Sequence, residues 1–485
     1  MLHAPVRGAL AACAFIAGAL APAAAWAQGV PGTQPGVLGT QPGVLGTQPG
    51  VLGTPPADTN NIFVTAGLGE TDNVGLAATG AESQTIANVG VMVDVERNDP
   101  LLKGSIIGGV SYVDYLEHAF PGQVVGRLDG NGSFALVPDN IKWVLQDAYG
   151  TAQVDPLAPV DRNNEQSVNV LSTGPDFLMH PSDSVFVRLG ARYALVDFET
   201  SPFNSHQLLG LAAIGDDLSV ASSISLNADV SEIRFQDTDV NPDYDRRKFY
   251  LRYDTRGTRT TVSLDLGVGQ VDDTGPWTSA LLAQLTLARD LTPFQSVTIS
   301  GGRQFTDASD SFRGLTSGAA AATVIAPGVG SAGNYLDTYG TLGWQYKENR
   351  TTIAVTGAWE RDTYTIEPTP LQLAEFILEG IPAGLDVTRA SAQARVQREV
   401  TPNLTAEVDG SFTHENYETI GFIDHYLVAG VGVTFAPNRR VQYRLRFDHN
   451  VRTAETVPTI VAEQGLATGY TMNEIFLTAV YRLSE

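Results

Sequence analysis

Residues 441–450 read VQYRLRFDHN. Val441, Tyr443, Leu445 and Phe447 share one parity, and Gln442, Arg444, Arg446 and Asp448 share the other. Successive side chains of a strand point to opposite faces, so the stretch predicts a strand with one apolar and one charged side. Residues 259–269 repeat the pattern. There Val262, Leu264, Leu266 and Val268 stand against Thr261, Ser263, Asp265, Gly267 and Gly269. In the last segment Ile475, Leu477, Ala479, Tyr481 and Leu483 stand against Glu474, Thr478 and Arg482.

About twenty such segments run between residues 62 and 483, and many are longer than the roughly 5–6 residues of an ordinary soluble strand. A tilted membrane strand needs about 9–11. The links carry the stronger signal. After even-numbered segments they are short and rich in turn residues, as in Arg97-Asn98-Asp99-Pro100, Pro138-Asp139-Asn140, Gly215-Asp216-Asp217 and Thr401-Pro402-Asn403. After odd-numbered segments they are longer, apart from the third and seventeenth. The longest lie near 307–333 and 365–385.

Short turns on one rim and long loops on the other are the plan of an outer-membrane barrel. The expected fold is therefore all-β: a single closed, antiparallel, up-and-down transmembrane β-barrel of about twenty strands over 62–485. An even strand count puts both ends on the short-turn, periplasmic side. A large soluble sandwich, solenoid or propeller would also alternate. It would not enforce short–long parity, and no repeat of propeller length is present.

Residues 1–27 read as a signal peptide. Arg7 precedes an apolar run, and Ala25-Trp26-Ala27 forms an A-x-A cleavage pattern. Leu10-Ala11-Ala12-Cys13 resembles a lipoprotein cleavage box, but the apolar stretch before it is too short. Cys13 is the only cysteine, so cleavage would leave no thiol and no disulfide. Residues 28–61 are expected to be an unstructured Pro/Gly-rich periplasmic linker, with QPGVLGT written three times over 34–54. It reads as a spacer or as a tether for a periplasmic export partner. The formal net charge of −23 disfavours nucleic-acid binding. Beyond the signal no apolar run is long enough for a membrane helix.

Three stretches carry a resemblance. The first strand runs into Glu70-Thr71-Asp72-Asn73-Val74, residues 134–159 read FALVPDNIKWVLQDAYGTAQVDPLAP, and residues 379–400 read EGIPAGLDVTRASAQARVQREV. Together with the strand rhythm, these resemble a β-barrel porin family of uncharacterised bacterial outer-membrane proteins, across most of 62–483. The resemblance implies an outer-membrane porin near exopolysaccharide export, with a hydrophilic solute or glycan as cargo and outer-membrane lipids and lipopolysaccharide as surroundings.

If the apolar face meets lipid, the other parity lines the interior. That reading selects Arg188, Arg192, Lys248, Arg252, Asp265, Arg389, Arg395, Glu407, Asp409, Arg444, Arg446 and Glu474 as lumen-lining, with Asp229 beside them. Mixed charge in a lumen selects solutes by charge and shape, although any water-filled barrel needs polar inward residues. Asp237, Asp239, Asp243, Asp245, Asp272, Asp273, Asp307 and Asp310 read as a solvated acidic outer rim that could also hold divalent cations against lipopolysaccharide. Residues 307–333 are long enough to fold inward. Residues 369–380 read as a short helix with Thr369 as N-cap, Pro370 at its first position and Gly380 as its stop. Its apolar faces need cover from neighbouring loops or the channel mouth.

No catalytic, metal or cofactor motif is evident, so the chain is not expected to be an enzyme. His425 reads as a membrane-interface position, and His414 beside Glu415 is the only pair worth weighing. The expected function is a channel that passes or helps export a hydrophilic solute through a charge-lined lumen narrowed by loops. A closed-lumen structural or adhesive barrel is the alternative, and an outer-membrane hydrolase is the less favoured one.

Overall fold

A computed structural model describes residues 58–159, 161–238, 241–273, 275–316, 333–379, 384–455, 461 and 469–483. The signal segment and the heptads lie outside these residues. The first ten strands are β1 (Thr59–Thr71), β2 (Gln84–Asn98), β3 (Leu102–Tyr115), β4 (Gln123–Val137), β5 (Ile141–Gln153), β6 (Glu165–Met179), β7 (Val185–Phe198), β8 (Ser205–Ser219), β9 (Ser222–Phe235) and β10 (Tyr244–Arg256). The next ten are β11 (Thr260–Asp272), β12 (Thr278–Thr292), β13 (Gln295–Thr306), β14 (Tyr335–Glu348), β15 (Thr351–Tyr364), β16 (Val387–Thr401), β17 (Leu404–Tyr417), β18 (Phe422–Phe435), β19 (Val441–Glu455) and β20 (Tyr470–Arg482). Two helices, α1 (Ala308–Thr316) and α2 (Pro370–Glu379), lie in the two longest links.

Every strand pairs antiparallel with the next, and β1 pairs with β20 from Phe63↔Arg482 to Thr71↔Glu474. The sheet therefore closes, and no edge is left to pair with another chain. Links after even strands have at most five residues, as at 180–184 and 436–440. Links after odd strands are longer, except 273–277 and 418–421. The link after β3, 116–122, which the sequence read as brief, exceeds every even link.

One turn differs from the sequence expectation. β8 runs through Gly215-Asp216-Asp217 and turns at Val220-Ala221 instead. Gly215 stays in the ladder opposite Phe186, whose ring occupies the space a side chain at 215 would need. Both aspartates lie near the short-turn rim, Asp217 exposed and Asp216 half-buried, and the ladder continues through them.

The outward parity is apolar all round. Leu68, Leu226, Leu266, Leu281, Leu342, Val408 and Leu477 are each between 47% and 62% exposed. A continuous apolar ring of this extent is a lipid-facing surface, not a water-facing one. Aromatic residues bound it on both sides. Phe134, Trp143, Phe435, Tyr443 and Tyr481 project near the short-turn rim, and Tyr112, Tyr193, Trp359 and Phe412 project towards the long-loop rim. Phe412 lies opposite Leu427, eight residues from Phe435 along β18. At about 3.4 Å per residue and a tilt of about 40°, the girdles stand roughly 21 Å apart, close to the ~25 Å apolar band of outer-membrane barrels. The protein is a bacterial outer-membrane β-barrel.

Candidate functional site

Twenty strands about 4.8 Å apart and tilted about 40° close into a ring roughly 40 Å across. Side chains alone cannot fill such a ring, so its interior is shaped by charged walls and by the loops that enter it.

One charged belt lies on β16, β17 and β19. Glu407 accepts from Arg395 at 2.6 Å and from Arg446 at 3.3 Å, and it also pairs with Arg444. Arg446 forks onto Asp409 at 2.8 and 2.9 Å and reaches Asp448 at 2.6 Å. The strand between, β18, carries Gly430 opposite Asp409 and Gly432 opposite Glu407. A side chain at either glycine would collide with these same charged groups. Glycine is thus what lets residues two strands apart meet.

A second group lines a cavity of about 110 Å³ within the wall formed by β7 to β13. Arg188, Asn227, Asp229, Lys248, Tyr250, Arg252, Asp265, Gln284 and Gln304 contribute to it. Arg252 forks onto Asp265 at 2.7 and 2.6 Å. Tyr250 donates to Asp229 at 3.2 Å, and Lys248 donates to Gln304 at 2.9 Å.

A third band lies towards the long loops. Asp337 on β14 and Asp362 on β15 are directly opposed, and Glu360 shares their face. Arg389 donates to Asp362 at 2.6 Å, with Glu360 at 3.9 Å and Glu415 at 3.7 Å. Further round, Arg452 meets Asp424 at 2.5 Å, and both side chains are fully buried.

Two loop elements cross the interior. Residues 154–164 link β5 to β6 and are braced by Asn164, which donates to the carbonyls of Asp155 and Pro159 at 2.9 Å. The loop then reaches far round the ring. Arg452 donates to the Leu157 carbonyl at 2.7 Å, and the Tyr417 hydroxyl donates to the Pro156 carbonyl at 3.2 Å. Leu157 is buried among Leu385, Val387, Tyr417, Phe422 and Val461. Burial pushes the Asp155 carboxyl above the ordinary carboxylate range, although the Leu157 backbone N–H donates to it at 2.8 Å.

The second element is α1. It starts from the β13 end yet packs against β5 and β6, eight and seven places away round the ring. Asp307 caps it by accepting from the backbone of Ser309 at 2.9 Å and of Asp310 at 3.0 Å. The same carboxylate accepts from the Tyr244 hydroxyl at 2.7 Å and lies 3.4 Å from Arg246. Arg246 also holds Asp310 at 2.6 Å, and Gln207 donates to Ser309 at 2.9 Å. Asp307 and Asp310 are therefore docking groups inside the barrel, not members of an acidic outer rim. Asp239 lies outside the described residues.

All twelve residues selected by alternation fall on the face of their strands that carries the buried polar groups. The structure gathers Arg395, Glu407, Asp409, Arg444 and Arg446 into one belt. Arg188, Lys248, Arg252 and Asp265 meet at the cavity. Arg389 stands in the acidic band, and Glu474 is buried on β20. Arg192 has a local role, donating to Asp176 at 2.6 Å and to the Pro175 carbonyl at 3.0 Å. Missed were Arg246, Asp337, Glu360, Asp362, Asp424 and Arg452. The parity that selected Lys248 also marks Arg246, two residues earlier.

α2 begins as its sequence predicts. Gln372 N–H donates to the Thr369 hydroxyl at 3.3 Å, and Gln372 Oε1 accepts from the Thr369 N–H at 2.9 Å. Gly380, its expected stop, lies outside the described residues. Leu373 packs on the cluster around Leu157, while Leu371 is exposed. His414 pairs with His425 across the ladder at 3.3 Å, on the outward parity of β17, and makes no pair with Glu415.

No family model matches the chain, and no curated protein does. Among solved structures, it resembles a ferric enterobactin receptor of Pseudomonas aeruginosa at 10% identity and a TM-score of 0.46, over 87% of this chain and 81% of that one. It also resembles the FrpB iron transporter of Neisseria meningitidis at 10% identity and a TM-score of 0.40, over 87% and 81%. The siderophore receptor PirA of Pseudomonas aeruginosa gives 8% and 0.40, over 88% and 81%. With TM-scores below 0.5, these likenesses bear on neither strand count nor cargo.

Proposed function

We propose that the protein is an outer-membrane channel that passes, or helps export, a hydrophilic solute, with loop 154–164 and α1 as its closing elements. The observation that carries this reading is the contrast between a wide, charge-lined ring and two loops held across it by specific bonds to distant strands. Paired arginine belts facing inward are the kind of lining that selects solutes by charge. The twelve residues selected by alternation line the path, and the carboxylates partner the arginines along it. A glycan, such as an exopolysaccharide, is the cargo class that the resemblance to the porin family implies. Amide and phenol groups of Asn227, Gln284, Gln304 and Tyr250 beside Arg188 support it, since they offer partners to sugar hydroxyls. Outer-membrane lipids and lipopolysaccharide surround the outward belt.

One observation favours a second reading. The apolar clusters around Leu157 and Phe312 bury the long-loop end well, as a permanently closed structural or adhesive barrel would. Planar-bilayer conductance of the mature protein under a salt gradient separates the two. Discrete steps are expected, and the sign of the reversal potential reads which charges govern the narrowest point. Electrical silence from a barrel shown folded by heat-shifted gel mobility sinks the channel and leaves the closed barrel.

A further inference from the structure

We infer that Asp337, Glu360 and Asp362 bind a hard divalent cation of the calcium type in the barrel wall. One oxygen from each lies within 4.8 Å of the other two. Calcium takes oxygens at about 2.3–2.6 Å, so three ligands on one ion can stand up to roughly 5 Å apart. The trio fits that sphere without rearrangement of the strands.

The carboxylates are also incompletely satisfied. Asp337 is 3% exposed, Glu360 4% and Asp362 5%. Oδ1 of Asp337, Oε2 of Glu360 and Oδ1 of Asp362 have no hydrogen-bond partner. Buried acceptors are ordinarily bonded, so an orphaned oxygen on each of three carboxylates this close together marks a missing group. The register makes the arrangement unavoidable. Asp337 and Asp362 are direct cross-strand neighbours, and like charges directly opposed destabilise a ladder.

The charge balance points the same way. Arg389 is the base paired with this trio, and it is shared with Glu415. Lys248 is held by Gln304, whose backbone lies opposite Asp337. In the lower belt, by contrast, Glu407, Asp409 and Asp448 each accept from an arginine. The lower belt thus gives each of its acids an arginine, whereas this trio and Glu415 share Arg389. A divalent cation supplies the charge and the ligands together. Tyr335, Tyr339 and Tyr364 are buried on the same inward face at neighbouring positions of β14 and β15, which brings phenol rings close to the proposed ion.

The test uses the folded wild-type barrel in detergent, stripped with chelator and titrated with terbium under tyrosine excitation. One saturable equivalent, displaced by calcium, is expected. Asp337→Asn and Glu360→Gln should each weaken it at least tenfold, and Asp217→Asn on the short-turn rim should leave it unchanged. If one variant does not fold, the other carries the comparison. Absence of terbium uptake by the folded wild type overturns the inference. So does full affinity retained in either folded variant, which would move the ion to carboxylates on the loops.

Discussion

At the scale of single residues, the most exacting contact is Arg452 with Asp424. Both side chains are fully buried, 2.5 Å apart, and the guanidinium also holds the Leu157 carbonyl. Arg452→Met leaves a carboxylate buried without its base. Breaking a buried pair in this way costs about 3–5 kcal/mol. Urea unfolding of the lipid-reconstituted barrel should show that loss, and adding Asp424→Leu should recover much of it, because no charge is then stranded. No recovery would mean that the Leu157 bond, not the ion pair, carries the energy. The sequence marks both residues as inward by parity. It does not mark them as partners, because their meeting depends on the β18–β19 register, in which Tyr426 lies opposite Arg452 and Asp424 lies opposite Ala454. The same holds for Asp337 and Asp362, which are far apart in the chain and adjacent only in the ladder. Glycines 430 and 432 look like weak strand formers in isolation, and their use becomes plain only when Glu407 and Arg446 are seen reaching across them.

At the scale of elements, what is local is legible and what is docked is not. The strands could be read because period-two alternation and turn residues are both properties of a short window. α2 could be read for the same reason, since Thr369, Pro370 and Gln372 form its start by themselves. α1 could not. Its segment, ASDSFRGLT, has few strong helix formers, and its cap Asp307 is held by Tyr244 and Arg246 from another strand. Loop 154–164 could not be read as crossing the lumen either, because nothing in Asp155-Pro156-Leu157 says which way a turn will lie. Its docking should depend on pH. Burial raises the Asp155 carboxyl in the docked loop. The docked state therefore binds its proton more tightly than the free loop does. Docking is fully stabilised below the ordinary carboxylate value and weakens as pH rises through the raised one. The protection of residues 154–164, taken relative to the intrinsic exchange rate at each pH, should fall between acidic and neutral pH, and Asp155→Asn, which keeps an acceptor and removes the charge, should flatten that fall. An unchanged profile in that variant would place the titration elsewhere.

At the scale of the whole molecule, the barrel and its closure are separable. The ring is completed by strand pairing alone, with β1 meeting β20, so the wall does not depend on what crosses it. The crossing elements share a support. α1 rests on β5 and β6, the strands that carry loop 154–164, and Phe312 of α1 packs in the cluster that includes Ala148 and Ala152 of β5. Loop 154–164 in turn spans from those strands to Tyr417 and Arg452. Removing one leaves the other anchored at both ends, so either deletion alone should give small or flickering steps. Replacing residues 155–163 with Gly-Ser and also deleting 310–330 should give steady steps larger than the sum of the two. A barrel that folds, shifts on heating and still conducts no more with both removed than with one would show that the barrier lies below the loops. The charged belt of β16, β17 and β19 would then be the next place to cut, since it is the inward layer nearer the short-turn rim.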